Sequence, residues 1–258
     1  MNKVLITGHK GFIGSHLCKL LEFLSIPYKG WDIAESEDQN INYALPLDEF
    51  THIFHLAALR SAIMGESDPY NFIQTNCWGT VNILKTYPNA RIINVTSASA
   101  KNVMGIYGAT KQFSETVGKF HKNCLNVRPH NVFGEGQRED SLAVIPLFIK
   151  AKLEGNRPII YGDGSMRRDF TYVGDVVNYL YSMMFENDLK GVIDVGYGNS
   201  LTILELCKEI FGSLPDIQWE PVRPFDCEFS ISSNPIPQVF GMKEGIKRTI
   251  EWWKASLS

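Results

Sequence analysis

The 258-residue sequence lacks the features that mark several large classes of protein. Its cysteines number only five, spread along the chain without a CxxC pair, so neither a disulfide framework nor a zinc site is indicated. We therefore expect no metal site and a reducing, cytoplasmic compartment. The first apolar stretch ends at Gly8, and no later segment approaches the roughly 18 consecutive apolar residues of a membrane-spanning helix. We expect neither a targeting segment nor membrane association.

An excess of charge of one sign is also missing. Lys and Arg total 25 against 28 for Asp and Glu, which gives a net charge of -3 at pH 7. This balance offers no electrostatic reason to bind nucleic acid or a membrane surface. An anionic ligand would need local positive groups. No internal repeat or low-complexity linker interrupts the chain.

Short β-branched segments alternate with stretches of helical periodicity in the first half of the chain. This alternation predicts an α/β fold with a doubly wound, parallel sheet. After Arg128, glycine and proline punctuate shorter elements, which predicts a smaller, irregular region. The predicted strands are Val4–Thr7, His52–Leu56 and Arg91–Thr96, and the predicted helices are Gly14–Leu24, Asn76–Thr86 and Leu201–Phe211.

A glycine-rich turn, Gly8-His9-Lys10-Gly11-Phe12-Ile13-Gly14, follows the first predicted strand and opens a helix. This is the context that a dinucleotide-binding loop requires. Gly8 permits the tight turn, Gly11 lets the backbone approach a pyrophosphate, and Gly14 lets the helix lie close to the strand. We assign the turn, including Lys10, Phe12 and Ile13, to cofactor binding.

Asp32 follows this turn by about 20 residues, at the distance expected for a ribose-binding carboxylate. A carboxylate there accepts hydrogen bonds from the adenosine ribose and repels a 2′-phosphate, which favours NAD over NADP. Lys10 is the opposing feature, because its ammonium could reach a 2′-phosphate. The alternative is that Lys10 is a solvated loop residue.

Tyr107 and Lys111 are four residues apart at the start of a predicted helix, so they share one face. A nearby cation stabilises a phenolate, which lets a tyrosine act as a base nearer neutral pH. Ser97 closes a predicted strand at the sheet edge where a dinucleotide would lie. The three side chains suit proton transfer beside a nicotinamide, although the Tyr and Lys pair alone could be a surface feature.

These residues, in the order Gly8, Gly11, Gly14, Asp32, His55-Leu-Ala-Ala58, Ser97, Tyr107 and Lys111, resemble the extended short-chain dehydrogenase/reductase family. Two later segments are similar to its nucleotide-sugar epimerase/dehydratase branch, and the resemblance runs nearly end to end. These segments are Arg128-Pro-His-Asn-Val-Phe-Gly134 and residues 161–175, which contain Gly162-Asp-Gly and Arg168-Asp-Phe.

The resemblance implies a doubly wound Rossmann sheet with a smaller, irregular substrate-binding region, and NAD as cofactor. We expect the NAD-binding domain at 1–128 with about 169–197, and the nucleotide-sugar region at 129–168 with 198–258. It places Leu56, Ala57 and Ala58 against the cofactor and Arg60 on its pyrophosphate. The residues that it implies for substrate binding are Ser99, Asn131, Arg168, Arg223 and Asp226. The guanidinium groups of the two arginines suit a diphosphate.

The residues after Ser97 narrow the reaction. Dehydratases of this branch place Asp-Glu after the catalytic hydroxyl residue, but Ala98 and Ser99 stand here, and enzymes that invert C3 and C5 usually carry cysteine at the position of Ser99. The resemblance therefore favours inversion at C4 of a UDP-hexose or UDP-N-acetylhexosamine through a transient 4-keto sugar. A reductase or dehydrogenase that consumes NAD(P)H, a dehydratase, a non-catalytic dinucleotide-binding protein, and GDP-, dTDP- or CDP-linked sugars stay open.

The chain departs from the family between Ser97 and Tyr107, which are only ten positions apart. The longer family loop normally helps to wall the sugar pocket, so the identity of the sugar depends on this region. The resemblance also implies a homodimer formed through the helices near Asn76–Thr86 and Tyr107–Lys119.

Overall fold

The structure is a computed structural model that describes residues 3–137, 143–223 and 229–257. Its strands are β1 (Val4–Thr7), β2 (Tyr28–Trp31), β3 (His52–His55), β4 (Arg91–Val95), β5 (Cys124–Pro129), β6 (Val132–Phe133), β7 (Ile159–Tyr161), β8 (Arg167–Arg168), β9 (Thr171–Tyr172), β10 (Gly191–Val195), β11 (Leu201–Thr202), β12 (Gln218–Glu220) and β13 (Phe229–Ser230). Its helices are α1 (Phe12–Phe23), α2 (Ala62–Ser67), α3 (Pro69–Phe72), α4 (Gly79–Thr86), α5 (Gly105–Gly118), α6 (Val144–Glu154), α7 (Val173–Ser182), α8 (Ile203–Phe211) and α9 (Gly241–Leu257).

The chain divides into two compact units. Unit 1 comprises residues 1–129 and 177–194, and unit 2 comprises residues 130–176 and 195–258. The first break falls beside the boundary expected at 128. The returning segment of unit 1 is shorter than the expected 169–197.

Unit 1 contains a six-stranded sheet in the order β10-β5-β4-β3-β1-β2. β1 pairs in parallel with both β2 and β3, and β3 to β5 continue in parallel, so the chain winds outward from β1 in both directions. This confirms the predicted doubly wound, Rossmann-like α/β fold. The order reverses between β1 and β3, and ligands of such sheets bind at this reversal, beyond the carboxyl ends of the strands.

The core of unit 1 follows from its apolar strands. Every residue of β1 and β4 is buried, as expected for parallel strands covered on both faces. One cluster packs Leu5 and Ile53 from the sheet against Ile83 of α4, and the Tyr87 hydroxyl donates to the Pro46 carbonyl oxygen at 2.6 Å. The sheet is therefore a rigid platform for the loops at its edge.

Unit 2 is built from short strands and helices. It contains a three-stranded sheet in the order β11-β8-β13 and two strand pairs, β12 with β7 and β6 with β9. The buried carboxylate of Asp175 accepts backbone N–H groups from Val239, Phe240 and Gly241, each at 2.9 Å, which satisfies the donors at the start of α9. These short elements match the irregular region predicted after Arg128.

Two predicted helices begin later than expected. The segment Ile73–Trp78 is π-helical, and α4 begins only at Gly79. The Asn76 carbonyl oxygen accepts the hydroxyls of Thr80 and Ser114 at 2.7 and 2.8 Å. These two hydrogen bonds compete with the regular α-helical hydrogen bonds of the backbone. The predicted helix Leu201–Phe211 starts with strand β11, and α8 follows behind a capping box. Within the described ranges, no helix combines the length and apolar character needed to cross a membrane.

Candidate functional site

The glycine turn joins β1 to α1 at the carboxyl edge of the unit 1 sheet. Gly8 has a φ of 73°, and a Cβ there would lie 2.5 Å from the Ala57 amide nitrogen. A Cβ on Gly14 would overlap the Gly8 carbonyl oxygen. Gly11 directly precedes α1, and no side chain of the described residues accepts a capping hydrogen bond at this end of the helix. The turn therefore presents backbone and the positive end of a helix, which fits a dinucleotide pyrophosphate.

Asp32 lies directly after β2, beside this turn. Its Oδ2 accepts the backbone N–H of Lys10 at 2.9 Å, and its Oδ1 accepts that of Ala34 at 2.9 Å. Each carboxylate oxygen has a second lone pair that can accept a ribose hydroxyl. The predicted loop residues Phe12 and Ile13 are half-buried in the first turn of α1.

The segment after β3 lies against the end of β1. The backbone N–H of Leu56 donates to the Thr7 carbonyl oxygen at 3.1 Å, and that of Ala57 donates to the Thr7 hydroxyl oxygen at 3.4 Å. Leu56, Ala57 and Ala58 are half-buried, and Arg60 is exposed. The strand ends thus bring the predicted cofactor residues of β1 and β3 to one edge of the sheet.

Ser97, Tyr107 and Lys111 lie at the end of β4 and in the first turns of α5. The side chain of Ser97 lies close enough to Tyr107 to lower the pKa of its phenol. Lys111 is buried, and its Nζ donates to the Val95 carbonyl oxygen at 3.2 Å. Burial raises the pKa of Tyr107, while Ser97 and the positive charge of Arg60 lower it. The fold thus places Ser97 close to Tyr107, and Lys111 one helical turn further along α5.

Burial also acts on Lys111, but in the opposite direction. It lowers the pKa of the ammonium to about 8, although the charge of Glu115 favours the protonated form. Lys111 is therefore mainly protonated at neutral pH and close to its titration range. A phenol and an ammonium with such shifts are typical of proton-transfer sites.

An ion cluster lies beside this group, in which the buried carboxylates of Glu115 and Asp194 meet Arg128 and the exposed Lys101. Arg128 donates to Glu115 from Nε at 2.7 Å and from Nη2 at 2.5 Å. Asp194 lies 3.9 Å from Arg128 and 3.2 Å from the Nζ of Lys101. The Thr96 hydroxyl also donates to Glu115 at 2.8 Å, which connects the cluster to the residue before Ser97.

Buried hydroxyls connect the sheet with α5 behind the site. His55 contacts the Thr7 hydroxyl at 2.8 Å through Nδ1 and the Thr80 hydroxyl at 3.2 Å through Nε2. Burial and the charge of Lys111 together lower the pKa of His55 to about 3, so its imidazole is neutral. Thr80 also contacts the Ser114 hydroxyl at 3.0 Å. This chain of neutral groups fixes α5 relative to β1 and β3.

The short connection between Ser97 and Tyr107 begins with a 3₁₀ turn at Ala98–Ala100. Ser99 turns back on Ser97, whose Oγ accepts the Ser99 N–H at 3.2 Å and lies 3.3 Å from the Ser99 Oγ. A Cβ on Gly108 would lie 2.9 Å from the Ser99 carbonyl oxygen. The close approach of this turn to α5 therefore depends on glycine at position 108.

The predicted substrate residues lie mostly in unit 2. Asn131 donates to the Asp169 carbonyl oxygen at 3.1 Å. Arg168 is buried and donates to the Arg167 carbonyl oxygen at 2.9 Å, whereas the guanidinium of Arg223 lies 3.7 Å from the centre of the Tyr161 ring. Asp226 lies outside the described residues.

Sequence reasoning missed Glu115, Asp194 and Glu35, which contact predicted site residues or their neighbours. Glu115 follows Lys111 by four residues, a spacing that does place the two on one helix face. Asp194 reaches the site only through the pairing of distant strands, which no local pattern reveals. Across residues 3–137, 143–223 and 229–257, no group of three or more His, Cys, Asp or Glu side chains could hold a metal ion.

Known proteins resemble the chain over almost its whole length. The UDP-N-acetyl-alpha-D-glucosaminuronate decarboxylase of Bacillus cytotoxicus is 29% identical, over 98% of this chain and 98% of the relative. The UDP-N-acetylglucosamine 4-epimerase of Methanobrevibacter ruminantium has a similar structure, with a TM-score of 0.87, 27% identity and 99% coverage of each chain. The UDP-glucose 4-epimerase of Thermus thermophilus, solved in complex with NAD, gives a TM-score of 0.81 and 25% identity, with 98% of this chain and 99% of that chain covered.

A family model matches most of unit 1 and part of unit 2. The model is that of the NAD dependent epimerase/dehydratase family, and it matches residues 4–123 and 106–196. These matches confirm the predicted resemblance and the predicted cofactor, since the family depends on NAD and neighbouring structures contain it. The chain therefore belongs to the NAD-dependent epimerase/dehydratase family.

Proposed function

We propose that this protein is an NAD-dependent nucleotide-sugar epimerase that inverts C4 of a UDP-hexose or UDP-N-acetylhexosamine. The observation that carries the proposal is the placement of Ser97 close to Tyr107, whose pKa it lowers, with the buried Lys111 one helical turn along α5. An alcohol placed at this pair meets a base and a hydroxyl that orients it. The similarity to two 4-epimerases supports the same reaction.

Tyr107 is the general base and acid of the proposed cycle. As a phenolate it accepts the proton of the C4 hydroxyl, and as a phenol it returns that proton after inversion. Ser97 orients the C4 oxygen, and the positive charge of Arg60 lowers the pKa of Tyr107 against the effect of burial. Lys111, one helical turn along α5, is proposed to add to this stabilisation of the phenolate. Bound NAD⁺ would supply a reversible hydride acceptor for C4, so that inversion through a 4-keto sugar involves no net oxidation.

The cofactor residues fit NAD without further groups. The Gly8, Gly11 and Gly14 turn would hold the pyrophosphate, with Asp32 on the adenosine ribose and Arg60 as a nearby cation. Leu56, Ala57 and Ala58 would line the cofactor on the side of β3. Asn131, Arg168, Arg223 and Asp226 are proposed to bind the nucleotide part of the substrate.

Dehydration of the sugar is disfavoured by the residues beside Ser97. Ala98 carries no acid or base, and the Ser99 hydroxyl lies against that of Ser97 at 3.3 Å. Two acids that contact residues around this turn, Glu115 and Asp194, are paired with Arg128 and Lys101. An acid and base for loss of water are therefore not supplied by this segment.

A decarboxylase is the second candidate, because the relative from Bacillus cytotoxicus has that activity in its name. Oxidation at C4 of a nucleotide-linked uronic acid creates a ketone β to the C6 carboxylate. Such a β-keto acid loses CO₂ without an added acid or base. The proposed roles of Ser97, Tyr107 and Lys111 are the same in both reactions, so the substrate distinguishes them.

We further propose that the active form is a homodimer in a reducing compartment. An apolar groove of about 470 Å³ lies between the π-helical segment, α4 and α5, and Trp78, Ile73 and Phe113 at its border are each at least 42% exposed. A second copy of this chain would cover these side chains.

The cysteines described at 18, 77, 124 and 207 are free thiols, which supports a reducing environment.

A pair of conservative variants tests the proposed chemistry. Tyr107→Phe should fold and bind NAD⁺ as the native protein does but lose about 10²- to 10⁴-fold in turnover, the usual contribution of a general base. Tyr70→Phe removes the same hydroxyl from an exposed tyrosine and should change nothing. Turnover by Tyr107→Phe at the native rate would refute the assignment.

A further inference from the structure

Lys10, the residue that opposed the assignment of NAD, is paired with a carboxylate. Its Nζ lies 3.5 Å from Oε1 of Glu35, three residues after Asp32. Its backbone N–H donates to Asp32 at 2.9 Å, so the main chain and the side chain of Lys10 meet different acids. The Glu35 N–H in turn donates to the Asp32 carbonyl oxygen at 3.0 Å.

Glu35 is held in this position from more than one side. Its Oε2 lies 3.5 Å from Nε2 of His9, and Gln39 lies close enough to lower the pKa of its carboxylate. The buried His9 ring packs against Gly30, where a Cβ would lie 2.5 Å from the imidazole. The position of the ring therefore depends on glycine at position 30. Gln39 and the charge of Lys10 lower the pKa of Glu35, which is therefore ionised at neutral pH.

The position of Lys10 and Glu35 determines which part of a dinucleotide they could contact. A carboxylate after β2 marks the adenosine ribose end of a dinucleotide site, and the glycine loop lies next to it. A 2′-phosphate would arrive there with close to two negative charges, and a free ammonium is the group that would hold it. In this chain the ammonium of Lys10 is already paired with a carboxylate, and that carboxylate adds a second negative charge near Asp32.

We propose that Glu35 is a cofactor-selectivity residue, which excludes a 2′-phosphorylated dinucleotide by holding the Lys10 ammonium that would otherwise bind the phosphate. Asp32 repels the 2′-phosphate directly, whereas Glu35 occupies a cation of the glycine loop that could otherwise bind it. The two acids therefore act through different contacts. This role concerns the choice of dinucleotide and does not depend on which sugar is converted.

Direct binding of NADH and NADPH, measured by isothermal titration calorimetry, tests the proposal without turnover. Glu35→Gln keeps the shape of the side chain but frees Lys10. We expect the Kd for NADPH to fall about fivefold, the upper worth of an exposed ion pair, and the Kd for NADH to stay within about twofold. Glu37→Gln removes the same charge from an exposed neighbour and should leave both values unchanged.

The double variant Glu35→Gln/Lys10→Met separates the two ways in which Glu35 could act. If the freed ammonium binds the phosphate, the gain for NADPH disappears in the double variant. The gain should also shrink in about 1 M salt, where charges are screened beyond about 3 Å. An unchanged ratio of the two Kd values in Glu35→Gln, or a gain that persists in the double variant, would overturn the proposal.

Discussion

Glu115 and Arg128 are joined by two hydrogen bonds, at 2.7 and 2.5 Å, one helical turn beyond Lys111. The carboxylate is buried, so its negative charge acts on Lys111 through protein and not through water. It favours the ammonium form of Lys111 against the effect of burial. Glu115 is therefore a positioning residue, because it favours the protonated form of Lys111 without contacting the substrate.

Replacement of Glu115 by Gln should move the pH dependence of turnover. Without the carboxylate, burial lowers the pKa of Lys111 below its value of about 8, so the ammonium is lost at a lower pH. The alkaline limb of the kcat profile should shift down by about 0.5 to 1 pH unit, and stability should fall by about 2 to 3 kcal/mol as Arg128 loses its charged partner. Asp48→Asn, which breaks a surface pair with Lys29, is the control and should leave the limb in place.

Replacement of Lys111 by Met should abolish most turnover but stabilise the fold. Because the pKa of Lys111 is lower in the folded chain than in the unfolded chain, the buried ammonium destabilises the fold most below about pH 8, and this effect fades as pH rises towards 10.4. Denaturant unfolding at pH 7 should show a gain of about 1 to 3 kcal/mol over the native protein. The gain should shrink at pH 10, and a loss of stability at pH 7 would contradict this account of Lys111.

Replacement of Gly108 by Ala tests how the short connection positions Ser97. The added methyl would meet the Ser99 carbonyl oxygen at 2.9 Å, so the 3₁₀ turn or α5 must shift. We expect kcat to fall about tenfold because the reacting groups are misplaced, with about 1 to 3 kcal/mol lost in stability and no change in the Kd for NAD⁺. Thr116→Ala, on the exposed side of α5, is the matched control, and native kcat in Gly108→Ala would refute this role of the turn.

Replacement of Trp78 by Glu tests the proposed homodimer. Trp78 is 60% exposed beside the apolar groove, and a charge there would be buried without a partner in a dimer. Sedimentation equilibrium should show a dimer for the native chain and at least about tenfold weaker association for the variant. Trp219→Glu introduces the same change at a 51% exposed position in unit 2 and should remain dimeric. A native monomer would exclude the proposed interface.

The parts of the site that could be predicted from sequence are those fixed by short-range spacing. The glycine turn and Asp32 flank one strand and one helix, and Tyr107 and Lys111 are one helical turn apart, so local geometry decides their placement. The doubly wound sheet followed from alternating periodicities for the same reason. Long-range partners could not be read in this way, because β10 brings Asp194 to Arg128 across 66 positions. The fit of His9 over Gly30 likewise arises only when the two segments are packed together.

The most direct test of the account is proton NMR of the purified protein with UDP-linked hexoses, N-acetylhexosamines and hexuronic acids, using catalytic NAD⁺ and no reductant. The account predicts that a UDP-hexose or UDP-N-acetylhexosamine is converted to a mixture with its C4 epimer, with no net change in NAD⁺, and that Tyr107→Phe leaves the spectrum unchanged. Release of CO₂ from a hexuronic acid without epimer formation, or conversion that stops unless NADH or NADPH is supplied in stoichiometric amount, would contradict it.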